Sequence, residues 1–397
     1  MTEETVAAYI RTKSNLAEHI DITDTQHVRE LSDGNLNLVF LVRDSQGRSV
    51  IVKQGLPYVR VDPSWPMDSQ RTSREARALA LHAAVDPGHV PRVFAFDEVA
   101  NVLVLEDLTA HRVWRTALLA GERHERVAAE LGRYVARIGF GTSVLGDQAG
   151  SVKDRAAAST NVALCAITEA LIFTEPFIEH PHNQVPASAR NVWESLIVDP
   201  RVLASIAQAK WTFMTRQEAL IHGDLHTGSV FASPDGEARA FDIEFAFYGP
   251  LGFDLGILWG NLVLAAARAF AVDDPSHAEW CLTQVRRSWV SFETEMKALW
   301  PTRVDASVWN DDFLHHLLSC WSSDAFIFAG TEVVRRTVGF AKAAEVADDG
   351  TASARLALAA GHALLATAPI TSGGAGLLVD TALRAMRSGA GVHPGRN

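Results

Sequence analysis

The sequence has only three cysteines, Cys165, Cys281 and Cys320, far apart and odd in number. No disulfide framework or paired zinc knuckle can be read from them, and they look like the reduced thiols of a cytoplasmic protein. Long uninterrupted apolar runs are also missing. The most apolar stretch, Leu255 to Val272, is preceded by Asp254 and broken by Asn261 and Arg268, so it reads as a buried helix rather than a membrane span. The first ten residues carry Glu3 and Glu4 and no apolar core, which argues against a secretory leader. Positive charge is in deficit: 36 Lys and Arg stand against 47 Asp and Glu, a formal net charge of −11. Such a balance argues against a protein whose main task is gripping nucleic acid. An anionic small ligand, which needs only a local positive pocket, stays open. No internal repeat is apparent.

What the chain does have is length and apolar content. Its 397 residues, 48% apolar and 21% charged, can bury a large core and suggest two domains or one two-lobed enzyme. Val28 to Leu31 and Leu38 to Arg43 read as strands around the segment Ser32 to Asn37. A Ser45-Gln46-Gly47 turn then leads into a strand over Val50 to Gln54. Helical spacing of Ala76, Leu79, Ala80 and Ala83 predicts a helix over Arg74 to Ala84. Strands are expected at Val93 to Phe96 and Val102 to Leu105, where Glu106-Asp107-Leu108 ends the apolar run. Beyond that the pattern is mostly helical, with helices over Arg123 to Ile138, Val202 to Arg216 and Asp254 to Ala271. A strand island interrupts them at Ala219 to Ile221, Ser229 to Ala232 and Arg239 to Phe241. The expected organisation is a strand-rich unit over 1–108, a helical unit over 109–386 and a disordered Gly-, Pro- and Arg-rich tail over 387–397.

The strongest local signal is His222-Gly223-Asp224-Leu225-His226-Thr227-Gly228-Ser229, in a loop between two short strands. Asp242-Ile243-Glu244 follows at the end of the next strand. Residues two apart in an extended segment share a face, so Asp242 and Glu244 can point at one cation, and hard carboxylate oxygens suit magnesium. Asp224 is then free to accept the proton of an attacking hydroxyl. The two histidines also admit a metallohydrolase centre, but no second His/Asp cluster with ligand spacing accompanies them. His222 reads as a loop-orienting residue and His226 stays ambiguous. In the strand-rich unit, the Ser32 to Asn37 loop can offer backbone N–H groups to phosphates. Lys53, on the Val50 strand, and Glu75, on the following helix, fit a lysine that grips phosphates and is held by a helix glutamate.

The order of these features resembles the α+β, bilobal protein-kinase-like fold of the choline and aminoglycoside kinases. The details are similar to the S-methyl-5-thioribose kinases: HGDLHTGS at His222 to Ser229, DIEFAFYG at Asp242 to Gly249, DGNLN at Asp33 to Asn37, Ser64-Trp65-Pro66 and Arg335-Arg336-Thr337. The likeness runs from about Val28 to Val346. It implies a small antiparallel-sheet N-lobe, a larger mostly helical C-lobe, and ATP and Mg²⁺ as cofactors. The implied reaction moves the γ-phosphoryl group to the 1-hydroxyl of S-methyl-5-thio-D-ribose, a step of methionine salvage. Asp224 is implied as base, and Asp242 and Glu244 as metal ligands. Asp33, Gly34, Asn35, Asn37 and Lys53, with Glu75, would hold the phosphates, and Glu106, Asp107 and Leu108 would border the adenine. Arg335 and Arg336 would face the reaction zone and the sugar. Trp65 would close over the substrate, or simply form a structural corner. Ser229 stands where related kinases place a metal-binding asparagine, and Glu244 brings a compensating carboxylate; Ile243 stands where proline is usual. Asp254, opening the apolar helix, is expected to anchor the loop.

The expected partner is a small sugar, with no nucleic acid and no membrane, and the expected setting is a homodimer in the cytoplasm. A kinase of another small alcohol (an amino sugar, choline or homoserine) is the alternative. The arginine pair argues against the cationic members of that set. An ATP-binding scaffold without turnover would have lost the base or the metal ligands, and here both are present.

Overall fold

The computed structural model describes residues 1–31, 37–60, 62–68, 70–346, 352–368 and 374–389, apart from the side chains of Thr25, Gln26, Val59, Asp62, Pro63 and Trp65. The chain is α+β and divides into two compact units. One comprises Met1–His111 with Arg239–Ala246, the other Arg112–Ala238 with Phe247–Asn397.

The first unit opens with helix α1 (Glu3–Arg11), followed by strands β1 (Thr25–Glu30), β2 (Asn37–Asp44), β3 (Ser49–Gly55), β4 (Tyr58–Val59) and β5 (Asp62–Pro66). Helix α2 (Arg71–Val85) and strands β6 (Val93–Asp97) and β7 (Val102–Glu106) complete it. Five strands form one antiparallel sheet in the order β1-β2-β3-β7-β6, and β4 pairs with β5 in a separate hairpin. Strand alternation sorts β3 onto two faces. Val50 and Val52 join Phe40, Val42, Val102 and Val104 in a core closed by Val6 and Ile10 of α1. Lys53 points to the other face, paired in register with Val39 and Leu103. Helix α2 begins three residues before the sequence-predicted start and so includes the fully buried Arg71.

The segment 239–246 belongs to this first unit although it lies in the middle of the helical half of the chain. Ala240 donates its N–H to the His89 carbonyl at 2.7 Å, and Arg239 reaches the Pro87 and Val90 carbonyls. A division by sequence order alone misses this return.

The second unit contains β8 (Arg112–Val113), α3 (Trp114–Leu119), α4 (Val127–Thr142), α5 (Ala149–Ala158), α6 (Val162–Phe173), α7 (Arg190–Leu196) and α8 (Pro200–Thr215). Short strands follow: β9 (Ala219–Ile221), β10 (Val230–Ala232), β11 (Ala238–Ala240), whose last two residues belong to the first unit, and β12 (Phe247–Gly249). Helices α9 (Gly252–Ala271), α10 (Pro275–Leu299), α11 (Asp311–Val338), α12 (Ser353–Thr367) and α13 (Ala375–Gly389) end it. Residues 387–389, placed in the disordered tail by composition, continue α13, where Met386 is buried and anchors the last turns. Residues 390–397 lie outside the described set.

Helices α9 and α11 are in intimate contact. A Cβ on Gly252, Gly256 or Gly260 would come within 2.8, 2.4 and 2.8 Å of Asp324, Phe328 and Glu332 respectively, all on α11. Glycine at every fourth position thus removes one side of α9 so that the two backbones can approach. Among the described residues α9 is the one unbroken helix long and apolar enough to cross a membrane, but 89% of that stretch is buried inside the protein. It is a core helix.

Candidate active site

In the first unit, β2, β3, α2 and the 239–246 segment bring six polar side chains together. Lys53 Nζ lies 2.8 Å from Glu75 Oε1 and 2.5 Å from Asp242 Oδ1. Glu244 accepts from Asn37 Nδ2 at 3.1 Å and sits 3.3 Å from Arg71 Nε, while Arg71 also donates to Asn37 Oδ1 at 2.8 Å. Burial works against the Lys53 ammonium, yet Asp242, Glu75 and Glu244 outweigh it and hold its pKa above the usual lysine value. Burial, with the neighbouring Asp242 charge, pushes the Glu244 carboxyl up to about 7, against the opposing pull of Lys53.

The two acids converge for a different reason from strand alternation. Strand β11 ends at Ala240. Asp242 adopts left-handed backbone (φ 64°), and Ile243–Phe245 form a single 3₁₀ turn. Aspartate is among the few residues that tolerate this conformation, and the turn swings Glu244 back beside Asp242. One oxygen from each of Glu75, Asp242 and Glu244 lies within 4.8 Å of the others. Three carboxylates against the two cations Lys53 and Arg71 leave negative charge uncompensated. All the available donors are hard oxygens, which fits a divalent cation of the magnesium type.

In the second unit, the loop after β9 carries Asp224. Asp254, in the first turn of α9, accepts the backbone N–H of His222 at 2.7 Å and of Gly223 at 2.9 Å. Gly223 has φ 81°, a left-handed conformation that costs glycine nothing. Ser229 Oγ lies 2.8 Å from the Asp224 carbonyl oxygen and accepts the His226 N–H at 3.0 Å, so its hydroxyl closes the loop. The Asp224 carboxylate is then flanked by three groups. Arg335 donates to Oδ1 at 3.2 Å, Arg336 stands 3.7 Å from the same oxygen, and His226 Nε2 is 3.4 Å from Oδ2. Burial alone would raise the Asp224 pKa, but His226, Arg336 and Arg335 outweigh it and hold the carboxyl well below the usual carboxylate range. Burial, aided by Arg336 and Arg115 against the pull of Asp224, pushes the His226 imidazole down to about 4.

The adjacent arginines reach one site because a buried glutamate holds both. Glu332, fully buried on α11, accepts from Arg335 Nε at 2.5 Å and from Arg336 Nε at 2.9 Å. Asn261 of α9 donates to Glu332 at 2.8 Å and accepts from Arg115 at 2.7 Å, and Arg115 Nε lies 3.3 Å from buried Glu345. Glu332 and Asp224 together balance the two arginine charges. A buried ion of this kind is tolerable only when fully partnered.

The remaining sequence-predicted residues have these places. Asn37 spends its amide on Glu244 and Arg71. Glu106 accepts from the Arg92 N–H at 3.1 Å, Asp107 accepts from Ser49 Oγ at 2.5 Å and the Thr109 N–H at 2.8 Å, and Leu108 is buried. Trp65 lies on β5, and its side chain is outside the described set, as are Asp33, Gly34 and Asn35. Sequence reasoning missed Arg71, Arg115, Asn261, Glu332 and Glu345. Only Glu332 carried a signal, its spacing of three and four residues before Arg335 and Arg336 on a helix.

Residues 27–287 match the phosphotransferase enzyme family. The chain is 39% identical over 352 residues to a methylthioribose kinase of Pectobacterium carotovorum, covering 86% of this chain and 88% of that one. It is 39% identical over 352 residues to a methylthioribose kinase of Yersinia pseudotuberculosis, covering 86% of each. It is 40% identical over 322 residues to a methylthioribose kinase of Geobacillus, covering 80% and 79%. The α+β organisation expected for such a phosphotransferase, a unit built on an antiparallel sheet and a mostly helical unit, is the one this chain has. With a sheet unit carrying the Lys53–Glu75 pair, a helical unit carrying the Asp224 loop, and identity sustained over most of its length, the chain belongs to the phosphotransferase enzyme family and, within it, to the methylthioribose kinases.

Proposed function

We propose that this protein transfers the γ-phosphoryl group of ATP to the 1-hydroxyl of S-methyl-5-thio-D-ribose. The products are S-methyl-5-thio-α-D-ribose 1-phosphate and ADP, a step of methionine salvage. The observation that carries the reading is the Asp224 carboxylate kept ionised between two arginines that share one buried glutamate. A choline or aminoglycoside acceptor is cationic and would meet those arginines as like charges; a neutral ribose would not.

In this reading the anomeric hydroxyl donates its hydrogen bond to Asp224. Its oxygen attacks the γ-phosphorus, the bond to the β-phosphate oxygen breaks, ADP leaves, and the hydroxyl proton passes to the Asp224 carboxylate. The low pKa of Asp224 suits a loose transition state in which positioning matters more than early proton removal. Arg335 and Arg336 stabilise charge on the transferring group from a preorganised position. Lys53, oriented by Glu75, binds the phosphates. Asp242 and Glu244 would hold Mg²⁺, which when bound would neutralise phosphate charge. Backbone groups of Glu106 to Leu108 border the adenine, since the Glu106 and Asp107 side chains are engaged elsewhere. Trp65 and the Asp33–Asn35 segment complete the proposed sugar and phosphate contacts. The enzyme is proposed to work in the cytoplasm as a homodimer.

The test is an acceptor panel with ATP and Mg²⁺, comparing methylthioribose, ribose, glucosamine, homoserine and choline by kcat/KM. Methylthioribose is expected to lead. Ribose, with a 5-hydroxyl in place of the methylthio group, should trail by about 10- to 200-fold. A preference for any other acceptor overturns the substrate assignment.

A further inference from the structure

Besides the groups around Asp224, the second unit holds a further cluster of metal-ligating side chains. Glu175, His180 and His182 each offer one ligand atom, and these atoms all lie within 4.8 Å of one another. Glu175 Oε2 lies 2.8 Å from His182 Nδ1 and 3.4 Å from His180 Nδ1. His180 Nδ1 also accepts the His182 backbone N–H at 3.3 Å, so this nitrogen is the unprotonated one, and a bound ion would take its lone pair in place of that long hydrogen bond. The imidazole rings stand edge to face with centroids 4.6 Å apart.

The segment that carries these ligands is held without help from any ion. Asn183 donates its side-chain amide to the carbonyls of Glu175 at 2.7 Å and Ile178 at 2.9 Å. Gln184 donates its N–H to the Val338 carbonyl at 2.7 Å, tying the segment to the end of α11. Pro181 sits between the two histidines and restricts the backbone there. Lys210 donates to Thr174 Oγ1 at 2.9 Å. The histidine side chains are 29% and 39% exposed, which leaves room for water or a further ligand on the solvent side.

We propose that Glu175, His180 and His182 form a binding site for a divalent transition ion of the zinc type, separate from the magnesium site of the phosphotransfer reaction. Two imidazole nitrogens with one carboxylate suit Zn²⁺, Co²⁺, Ni²⁺ or Cu²⁺, whereas Mg²⁺ prefers an all-oxygen set. Three protein ligands with an open side leave the remaining coordination position to solvent.

Co²⁺ is the probe, titrated into the intact protein with Mg²⁺ held in large excess to occupy the oxygen-donor site. One equivalent should bind and give visible d–d absorption without a sulfur-to-cobalt charge-transfer band. His180→Ala, His182→Ala and Glu175→Gln should each weaken binding at least about tenfold, or roughly 1.4 kcal/mol, with the circular dichroism spectrum unchanged. X-ray absorption of the Zn²⁺-loaded wild-type protein should show nitrogen and oxygen neighbours with imidazole scattering, a readout that stands even if a variant fails to fold. The proposal is overturned if the wild type binds no Co²⁺ under excess Mg²⁺, or if all three variants bind as tightly as the wild type. A sulfur charge-transfer band or sulfur scattering overturns it too, pointing instead to Cys320 and His316, whose Sγ and Nε2 are 3.6 Å apart.

Discussion

At the scale of single residues, the candidate site works by pairing charges that could not be buried alone. Asp224 is the reacting carboxylate in the proposed mechanism, and Asp224→Asn keeps its shape while removing its ability to take a proton. Turnover should fall by about 10²- to 10⁴-fold, with ATP affinity measured by calorimetry nearly unchanged. Retention of more than about a tenth of wild-type turnover would rule Asp224 out as the base. Glu332 touches no substrate in this scheme; it is a positioning residue that fixes both guanidinium groups through its two oxygens. Glu332→Gln leaves an oxygen acceptor for only one of them. The expected result is a loss in kcat/KM of about tenfold or more, or roughly 1.4 kcal/mol. The KM for the sugar should rise while the KM for ATP holds, and a purely structural role would move neither selectively.

At the scale of elements, two contacts set the geometry. Helix α9 approaches α11 through its glycine face, and Gly256 is the tightest point: its added Cβ would meet the Phe328 Cβ at 2.4 Å and the Ala325 carbonyl at 2.8 Å. Neither neighbour is the free end of a flexible side chain, so Gly256→Ala must shift a helix. Overpacking of this kind costs about 1–3 kcal/mol, readable as a lower urea midpoint with unchanged slope. In the first unit, α1 is tied to the sheet beside Asp97. Its carboxylate takes Lys13 Nζ at 2.6 Å, the Ala100 N–H at 2.9 Å and Tyr9 Oη at 3.1 Å. These bonds, Lys13 first, hold the Asp97 carboxyl down at about 2 against an ordinary 3.8. A carboxyl whose pKa is lowered by folding stabilises the protein above its unfolded value and loses that contribution as pH falls through the folded one. Asp97→Asn should therefore melt below the wild type at neutral pH, with the gap closing as pH is lowered from about 4 to about 2. A gap that stays constant over that range would disprove the ion-pair origin.

At the scale of the whole molecule, the chain runs through the sheet unit, builds most of the helical unit, and returns to the sheet unit for residues 239–246. That return delivers Asp242 and Glu244 to Lys53 and Glu75. The order of strand, lysine, helix glutamate, Asp224 loop and paired acids was legible because each feature is local: a turn, an alternation, a short motif. The D-x-E pair was legible as chemistry but not as geometry, since a strand was expected where the backbone makes a left-handed step into a 3₁₀ turn. Helix α11 gave little warning because it is buried on several sides and its polar residues Asp324, Thr331, Glu332, Arg335 and Arg336 lie inside. A helix without one wet face shows no clean amphipathic period.

The kinase class, the Asp224 loop and the Lys53–Glu75 pair were legible along the chain, because contiguous motifs place their own side chains. Which charges neutralise which is settled by the folded chain. Arg71 finds Glu244 across 173 residues, Arg115 finds Asn261 across 146, and Asn261, which reads in the sequence as a flaw in an apolar run, joins Arg115 to Glu332. A buried charge must be matched by a partner from wherever the fold supplies one, and that choice is made by packing between distant elements, which no local pattern in the chain records.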